Sequence, residues 1–294
     1  MTESRATAFT LLALCNLLWA GNWVAGRALR DAFDPVSLNF WRWLIAVLVL
    51  APFALPGLAA HLGVIRRRAG YLVLLALFGV ALFHSLVYLG LRTTTTVNAV
   101  LINCSLPLFI LLCAWALEGE RATWRQLAGI LVSVPGLLVI LARGEPARLA
   151  ELEFHAGDAW ILLAMPVWGV YAVLLKRRPK ELDGLGFLFV ISVIGTLLLL
   201  PVYVLDILRS PPAMPSAGQA AGVIYMAVAA SAAAFWCWNQ GVAVVGANVA
   251  GFTLHLLPMF GTVLAIVFLG EQFRLFHAVG FATILAGVVL ATRR

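Results

Sequence analysis

Charge is scarce in this chain, and acid is scarcest. Only 11% of the 294 residues are charged, with 13 Asp or Glu against 20 Lys or Arg. A soluble domain carries about 25% charged residues. The acidic residues, from Glu3 to Glu271, all fall in polar segments or at the ends of apolar runs. A carboxylate inside a membrane span is the usual proton carrier and the usual counter-ion for a cationic substrate. Its absence disfavours carboxylate-centred antiport. If protons are coupled at all, only His84 and His255 are placed to carry them. The chain also lacks GxxxxGK[ST], HExxH and GxSxG, so it carries no nucleotide-hydrolysing loop, zinc protease helix or serine elbow. Four cysteines (Cys15, Cys104, Cys113, Cys237) lie inside apolar runs without CxxC or His/Cys ligand spacing. No disulfide, metal or other cofactor is expected. No dense basic patch has room outside those runs, which excludes nucleic acid as a partner.

What the chain has in abundance is apolar length. Hydrophobic residues make up 63% of the sequence. They fall in ten runs, about 6–28, 36–55, 70–91, 97–117, 124–142, 158–175, 185–205, 219–241, 248–269 and 275–292. Each is long enough to cross about 30 Å of hydrocarbon as a helix. Long uninterrupted runs mean helices rather than barrel strands, because backbone groups in lipid must bond within their own segment. The fold class is therefore an all-α polytopic membrane protein with ten transmembrane helices, and the lipid bilayer is its first partner. The first run has no small-residue cleavage site after it and is expected to be a retained helix.

The runs are written twice. Pro107, Gly119, Glu120, Gly129 and Gly136 recur as Pro258, Gly270, Glu271, Gly280 and Gly287, all at an offset of 151. Upstream the offset drifts slightly, matching Trp19 with Trp168, Tyr88 with Trp238 and Asn98 with Asn248. The expected organisation is a five-helix repeat at 1–142, a linker at 143–157 and a second five-helix repeat at 158–294. An odd number of spans per repeat sets the two halves upside down relative to each other, the architecture of alternating-access transporters. With the N-terminus cytoplasmic, Arg5, Arg66–Arg68, Arg121, Arg125, Lys176–Arg178, Lys180, Arg293 and Arg294 lie inside. Arg27, Arg30, Arg92, Arg143, Arg148, Arg209 and Arg274 lie outside. The positive-inside rule then places both termini in the cytoplasm.

Polar and aromatic side chains in mid-span face a bundle interior more often than lipid. In the first span Asn16, Trp19 and Trp23 form one helical stripe by their spacing, with Asn22 beside it. His84 and Tyr88 lie one turn apart in the third span, and the repeat sets Trp238 against Tyr88, with Ala234 in the place of His84. Asn103 precedes Pro107, and His255 precedes Pro258. Trp168 and Tyr171 match Trp19 and Asn22. The candidate substrate-binding residues are therefore Asn16, Trp19, Trp23, His84, Tyr88, Asn103, Trp168, Tyr171, Trp238 and His255. For His84 and His255, plain interhelical hydrogen bonds are an equal alternative. Pro107 and Pro258 each remove a helical hydrogen bond, and are read as hinges or as static kinks.

Other residues have structural readings. Trp41, Trp43, Trp124 and Trp160 are expected in interfacial belts. Asn98 and Asn248 are expected as helix N-caps. Glu120 and Glu271 suit the positive start of the following helix and a nearby Arg. The glycines at 129, 136, 280 and 287 suit close helix contact. Arg42, in the second span, is expected to snorkel to the headgroups. The other reading turns it inward toward a carboxylate.

The doubled pattern of Asn, apolar run, Pro, apolar run, Gly-Glu and a Gly-containing span resembles the EamA domain of the drug/metabolite transporter superfamily. The Trp-rich first span is similar to that of its aromatic amino acid exporters. The resemblance covers essentially the whole chain. It implies two inverted five-helix halves and, in bacteria, export of metabolites across the inner membrane. Together these readings anticipate a secondary transporter, not an enzyme, that moves amino acids outward, aromatic ones included, by alternating access and facilitated diffusion. A monomer suffices for this. A drug or nucleotide-derivative carrier of the same superfamily is the nearest alternative, and a membrane enzyme or a non-transporting assembly subunit the more distant one.

Overall fold

The computed structural model describes residues 4–150, 152–209, 214–269 and 272–293. Among them every regular element is helical. Ten helical stretches are long and apolar enough to cross a membrane: span 1, Arg5–Leu29; span 2, Pro35–Arg67; span 3, Ala69–Leu91; span 4, Asn98–Glu118; span 5, Trp124–Leu141; span 6, Ala156–Arg177; span 7, Gly184–Arg209; span 8, Ala217–Val245; span 9, Ala247–Leu264; and span 10, Leu275–Thr292. Local chemistry sets their starts. Ser4, Asp34, Thr95, Thr123 and Ser216 each accept a hydrogen bond from an amide of the following first turn. Gly119, at φ +70°, stops span 4 in the left-handed conformation that glycine adopts without strain.

Four sequence expectations need correction at the span ends. Span 2 does not stop near 55. It carries Pro52 and Pro56 on its exposed side and continues through a short 3₁₀ turn at Ala59–His61 to the Arg66–Arg68 cluster. Asn98 is not a cap: Thr95 fills that role, freeing the Asn98 amide to donate to Asp158 Oδ2 and the Glu153 carbonyl, each at 2.8 Å. Nor is Asn248, which sits inside the helix beyond Gly246 and donates to Glu120 Oε2 at 3.0 Å. Glu120 pairs with Lys176 at 2.5 Å rather than with an arginine. Gly270 and Glu271 lie outside the described residues.

These contacts define two ends of the bundle. At one, Arg27 from the close of span 1 donates to the Leu91 and Thr94 carbonyls, both at 2.7 Å, and Arg92 reaches Asp34. Asp158, opening span 6, binds Thr94 and Asn98 there. At the other end, the close of span 6 supplies Lys176 and Arg177 to Glu118 and Glu120, beside the start of span 9. Arg5 meets the Thr292 carbonyl, tying the start of span 1 to the close of span 10.

Besides the 3₁₀ turns near the ends of spans 2 and 6, four spans depart from regular α-helix in mid-course, in matched pairs. Span 4 breaks at Cys104–Ser105 and span 9 at Leu254–His255, each just before its proline. Spans 3 and 8 widen into π-helical turns at Leu77–Leu82 and Met226–Ala233. Spans 5 and 10 pack through glycine. A Cβ on Gly129 would strike the Gly287 carbonyl and Ala291, and one on Gly136 would strike the Gly280 carbonyl. The sequence makes Gly129 equivalent to Gly280 and Gly136 equivalent to Gly287, so each glycine meets the counterpart of the other.

Gly136→Val is expected to cost roughly 1–3 kcal/mol, because backbone rather than a yielding side chain blocks the new methyls. Gly57→Ala, where nothing lies within 4 Å of the new Cβ, should be neutral or slightly stabilising. Thermal unfolding of the detergent-purified chain, followed by size exclusion, separates the two.

Candidate functional site

The aromatic side chains of the sequence stripe converge where the four irregular spans meet. Trp168 is the hub. Its ring lies 5.1 Å from Trp19, edge to face, 5.1 Å from Tyr171, 4.7 Å from Phe83 and 5.5 Å from Trp238. Such geometries place a positive ring edge against a negative face. The sequence makes Trp19 and Trp168 equivalent, so here two counterpart residues touch. Against these rings lies a small cavity of about 20 Å³, lined by Trp19, Asn22, Trp23, Phe83, His84, Val87, Asn103, Leu106, Trp168, Leu254 and Leu257. That is room for about one water molecule, whereas small-molecule sites hold about 300–1,000 Å³. Admitting a metabolite requires the rings to part.

Of the ten candidate residues, Trp19, Trp23, His84, Asn103 and Trp168 line this cavity. Three more stand directly behind it. Tyr171 packs its ring on Gly79 and donates to Asn239 Oδ1 at 2.8 Å. Trp238 packs on Trp19 and Trp168, and Tyr88 sits 5.9 Å from the His84 ring. The structure does not bring the remaining two to the lining. Asn16 bonds the Leu12 carbonyl and Thr253 Oγ1. His255 uses both ring nitrogens on protein, Nδ1 with Ser133 Oγ at 2.7 Å and Nε2 with the Cys104 carbonyl at 3.0 Å. It therefore joins the break in span 9 to the break in span 4. Cys104 and His255 are again counterparts at the offset of 151.

Sequence reasoning passed over several side chains. Phe235 packs on Trp19, Trp43 and Trp168 and lies 5.8 Å from the His84 ring. A constant offset of 151 pairs it with His84, whereas the drifting offset pointed to Ala234. Asn22 lies off the stripe but lines the cavity. Trp43 does not belong to an interfacial belt: it is fully buried against Phe235, while Trp41, Trp124 and Trp160 are exposed.

Arg42 is the largest correction, since it does not snorkel. Fully buried, it donates to Ser231 Oγ, to the Tyr88 hydroxyl at 2.5 Å and to the Ala230 carbonyl at 3.3 Å, with Trp43 and Tyr88 rings beside it. The π turn of span 8 presents that carbonyl, which also accepts Trp19 Nε1 at 3.0 Å.

A roomier cavity, about 730 Å³, lies near the ends of spans 2, 7 and 8 and shares no lining residue with the ring chamber. Asp31, Asp34, Trp41, Tyr203 and Asp206 are among its walls.

Bundle and site together define a multi-pass membrane protein with an aromatic chamber at its helix breaks. The EamA-like transporter family model matches residues 6–142 and 155–293, and the chain belongs to that family. An uncharacterized transporter of Archaeoglobus fulgidus is 30% identical, over 97% of this chain and 96% of its own. A probable terminal-alkyne amino-acid exporter of Streptantibioticus cattleyicolor is 32% identical, over 96% and 92%. The aromatic amino acid exporter YddG of Ancylobacter novellus is 25% identical, over 74% and 72%. One solved crystal structure superposes with a TM-score of 0.77 at 23% identity, covering 98% of this chain and 97% of that one, and so shares the fold.

His255→Ala removes the partner of both Ser133 and the Cys104 carbonyl. It is expected to cost about 1–3 kcal/mol for a buried group left unsatisfied. A thermal unfolding midpoint unchanged from the parent would refute this assignment.

Proposed function

We propose that this chain is an exporter of amino acids, aromatic ones included, working in the bacterial inner membrane by alternating access and facilitated diffusion. The observation that carries the reading is the chamber itself: indole and phenyl walls with polar side chains that lack protein partners. Asn103 lines it and makes no side-chain hydrogen bond among the described residues, and the buried Trp168 Nε1 has no acceptor. Flat apolar side chains suit ring walls, and a few convergent polar groups suit an amino acid backbone. The names of the relatives from Streptantibioticus cattleyicolor and Ancylobacter novellus agree with this class of substrate.

The reciprocal glycine pairs and the contacts between counterparts support two five-helix halves inverted about an axis through the chamber. So do the bundle ends, since span 1 closes at the end where span 6 opens. The distribution of Lys and Arg supports cytoplasmic termini. In this reading the halves rock at the breaks before Pro107 and Pro258, parting the rings toward one end at a time. The carboxylate-free lining favours uncoupled movement.

Counterflow in proteoliposomes with labelled amino acids tests the proposal. Saturable exchange of aromatic amino acids, insensitive to an uncoupler, is expected. Trp168→Ala, checked for folding by size exclusion, should lower it by about 10-fold or more, as for a central buried anchor. Exchange of none of the amino acids by folded protein would shift the reading to a drug or nucleotide-derivative carrier.

A further inference from the structure

Arg42 holds a full positive charge in the middle of an apolar bundle, yet no acidic side chain forms an ion pair with it among the described residues. A buried charge of this kind is costly unless a counter-charge or a function accounts for it. Its hydrogen bonds lead toward the chamber. The guanidinium Nη1 donates to the Tyr88 hydroxyl at 2.5 Å, so that hydroxyl must turn its own proton elsewhere. It donates to Asn22 Oδ1 at 3.2 Å. With its oxygen engaged, the Asn22 amide presents its NH₂ half, and Asn22 lines the cavity. Trp168, whose side chain also lines the cavity, has a buried indole N–H without an acceptor. The lining thus offers unfilled donors backed by an uncompensated cation, and no carboxylate.

We infer that the chamber recognises a carboxylate, read by the donors that Arg42 organises through Tyr88 and Asn22, and that the ligand's amino group is dispensable. Charge-assisted donors favour an anionic oxygen about twice as strongly as a neutral one. The same guanidinium repels an ammonium, which no acidic side chain in the lining offsets. Arg42 acts here as a positioning residue, since Tyr88 and Asn22 stand between it and the cavity. The inference rests on the transport reading for where the ligand lies, and it extends the substrate class from amino acids to aryl and alkyl monocarboxylates.

The test uses the full chain in detergent and three probes that share a ring and a short chain. They are 3-phenylpropionate, with a carboxylate and no amine, phenethylamine, with an amine and no carboxylate, and phenylalanine, with both. 3-Phenylpropionate is expected to raise the thermal unfolding midpoint and to compete in counterflow, and phenethylamine to do so only at about 10-fold or more higher concentration. Arg42→Gln should reduce affinity for 3-phenylpropionate by about 10-fold or more, with no matching loss for phenethylamine. A purely structural role for Arg42 would not move that selectivity ratio. If Arg42→Gln does not fold, Tyr88→Phe keeps the guanidinium but cuts its link to Asn22, and should lower the same ratio.

Binding of phenethylamine as tight as that of 3-phenylpropionate, failure of the latter to bind at all, or an unchanged ratio in the folded variant overturns the inference. The two proposals fail separately. Transport of phenylalanine with equal competition by phenethylamine sinks this one alone. Binding of 3-phenylpropionate without any amino acid exchange sinks only the amino acid reading.

Discussion

A backbone carbonyl released from its helix inside hydrocarbon has no water to accept from, so each departure from α-helix must be met by a donor from the protein. This structure departs in mid-course in four spans, and side chains meet the departures in spans 3, 4 and 8. Asn39 of span 2 donates to the Val80 and Ala81 carbonyls in the π turn of span 3. Trp19 and Arg42 share the Ala230 carbonyl in the π turn of span 8, and Ser231 takes that of Met226. His255 holds the Cys104 carbonyl at the break in span 4. Apart from Ser231, these donors come from other spans. The satisfaction of irregular backbone is therefore also the glue between spans 1, 2, 3, 4, 8 and 9, and it fixes where the ring chamber forms.

Much of this was legible in the sequence. Run lengths gave the ten spans, and the two prolines at one offset located both helix breaks, because a missing N–H acts wherever the chain runs. Five of the ten candidate side chains line the cavity, since helical spacing and mid-span polarity report which face turns inward. The failures have two causes. A π turn adds residues without adding a regular turn, so the six-residue turn at Leu77–Leu82 and the eight-residue one at Met226–Ala233 shift the repeat offset between them. That drift concealed Phe235 as the counterpart of His84. Arg42 and Trp43 lie near the start of span 2, where depth alone suggests headgroups. Only tertiary packing against spans 3 and 8 turns them inward.

Family membership and chamber contribute different information. The family model and the full-length relatives establish a transporter scaffold, and a scaffold of this kind leaves cargo to a few side chains. In the proposed reading those side chains are the rings, which leave only about 20 Å³ open at the helix breaks. In a packed aromatic cluster of this sort a partial gap loses dispersion contact on both sides, so close packing is favoured over intermediate spacing.

Three contacts join residues that the duplication makes equivalent: Trp19 with Trp168, His84 with Phe235, and Cys104 with His255. In a pair of identical chains each such contact would be forced to join a residue to itself. Two tryptophans satisfy that condition edge to face, but an imidazole bonded to a backbone carbonyl needs one donor and one acceptor in differently shaped places. Fusing both copies into a single polypeptide removes the condition, so the centre of the molecule is free to be chemically lopsided even where the sequence repeats.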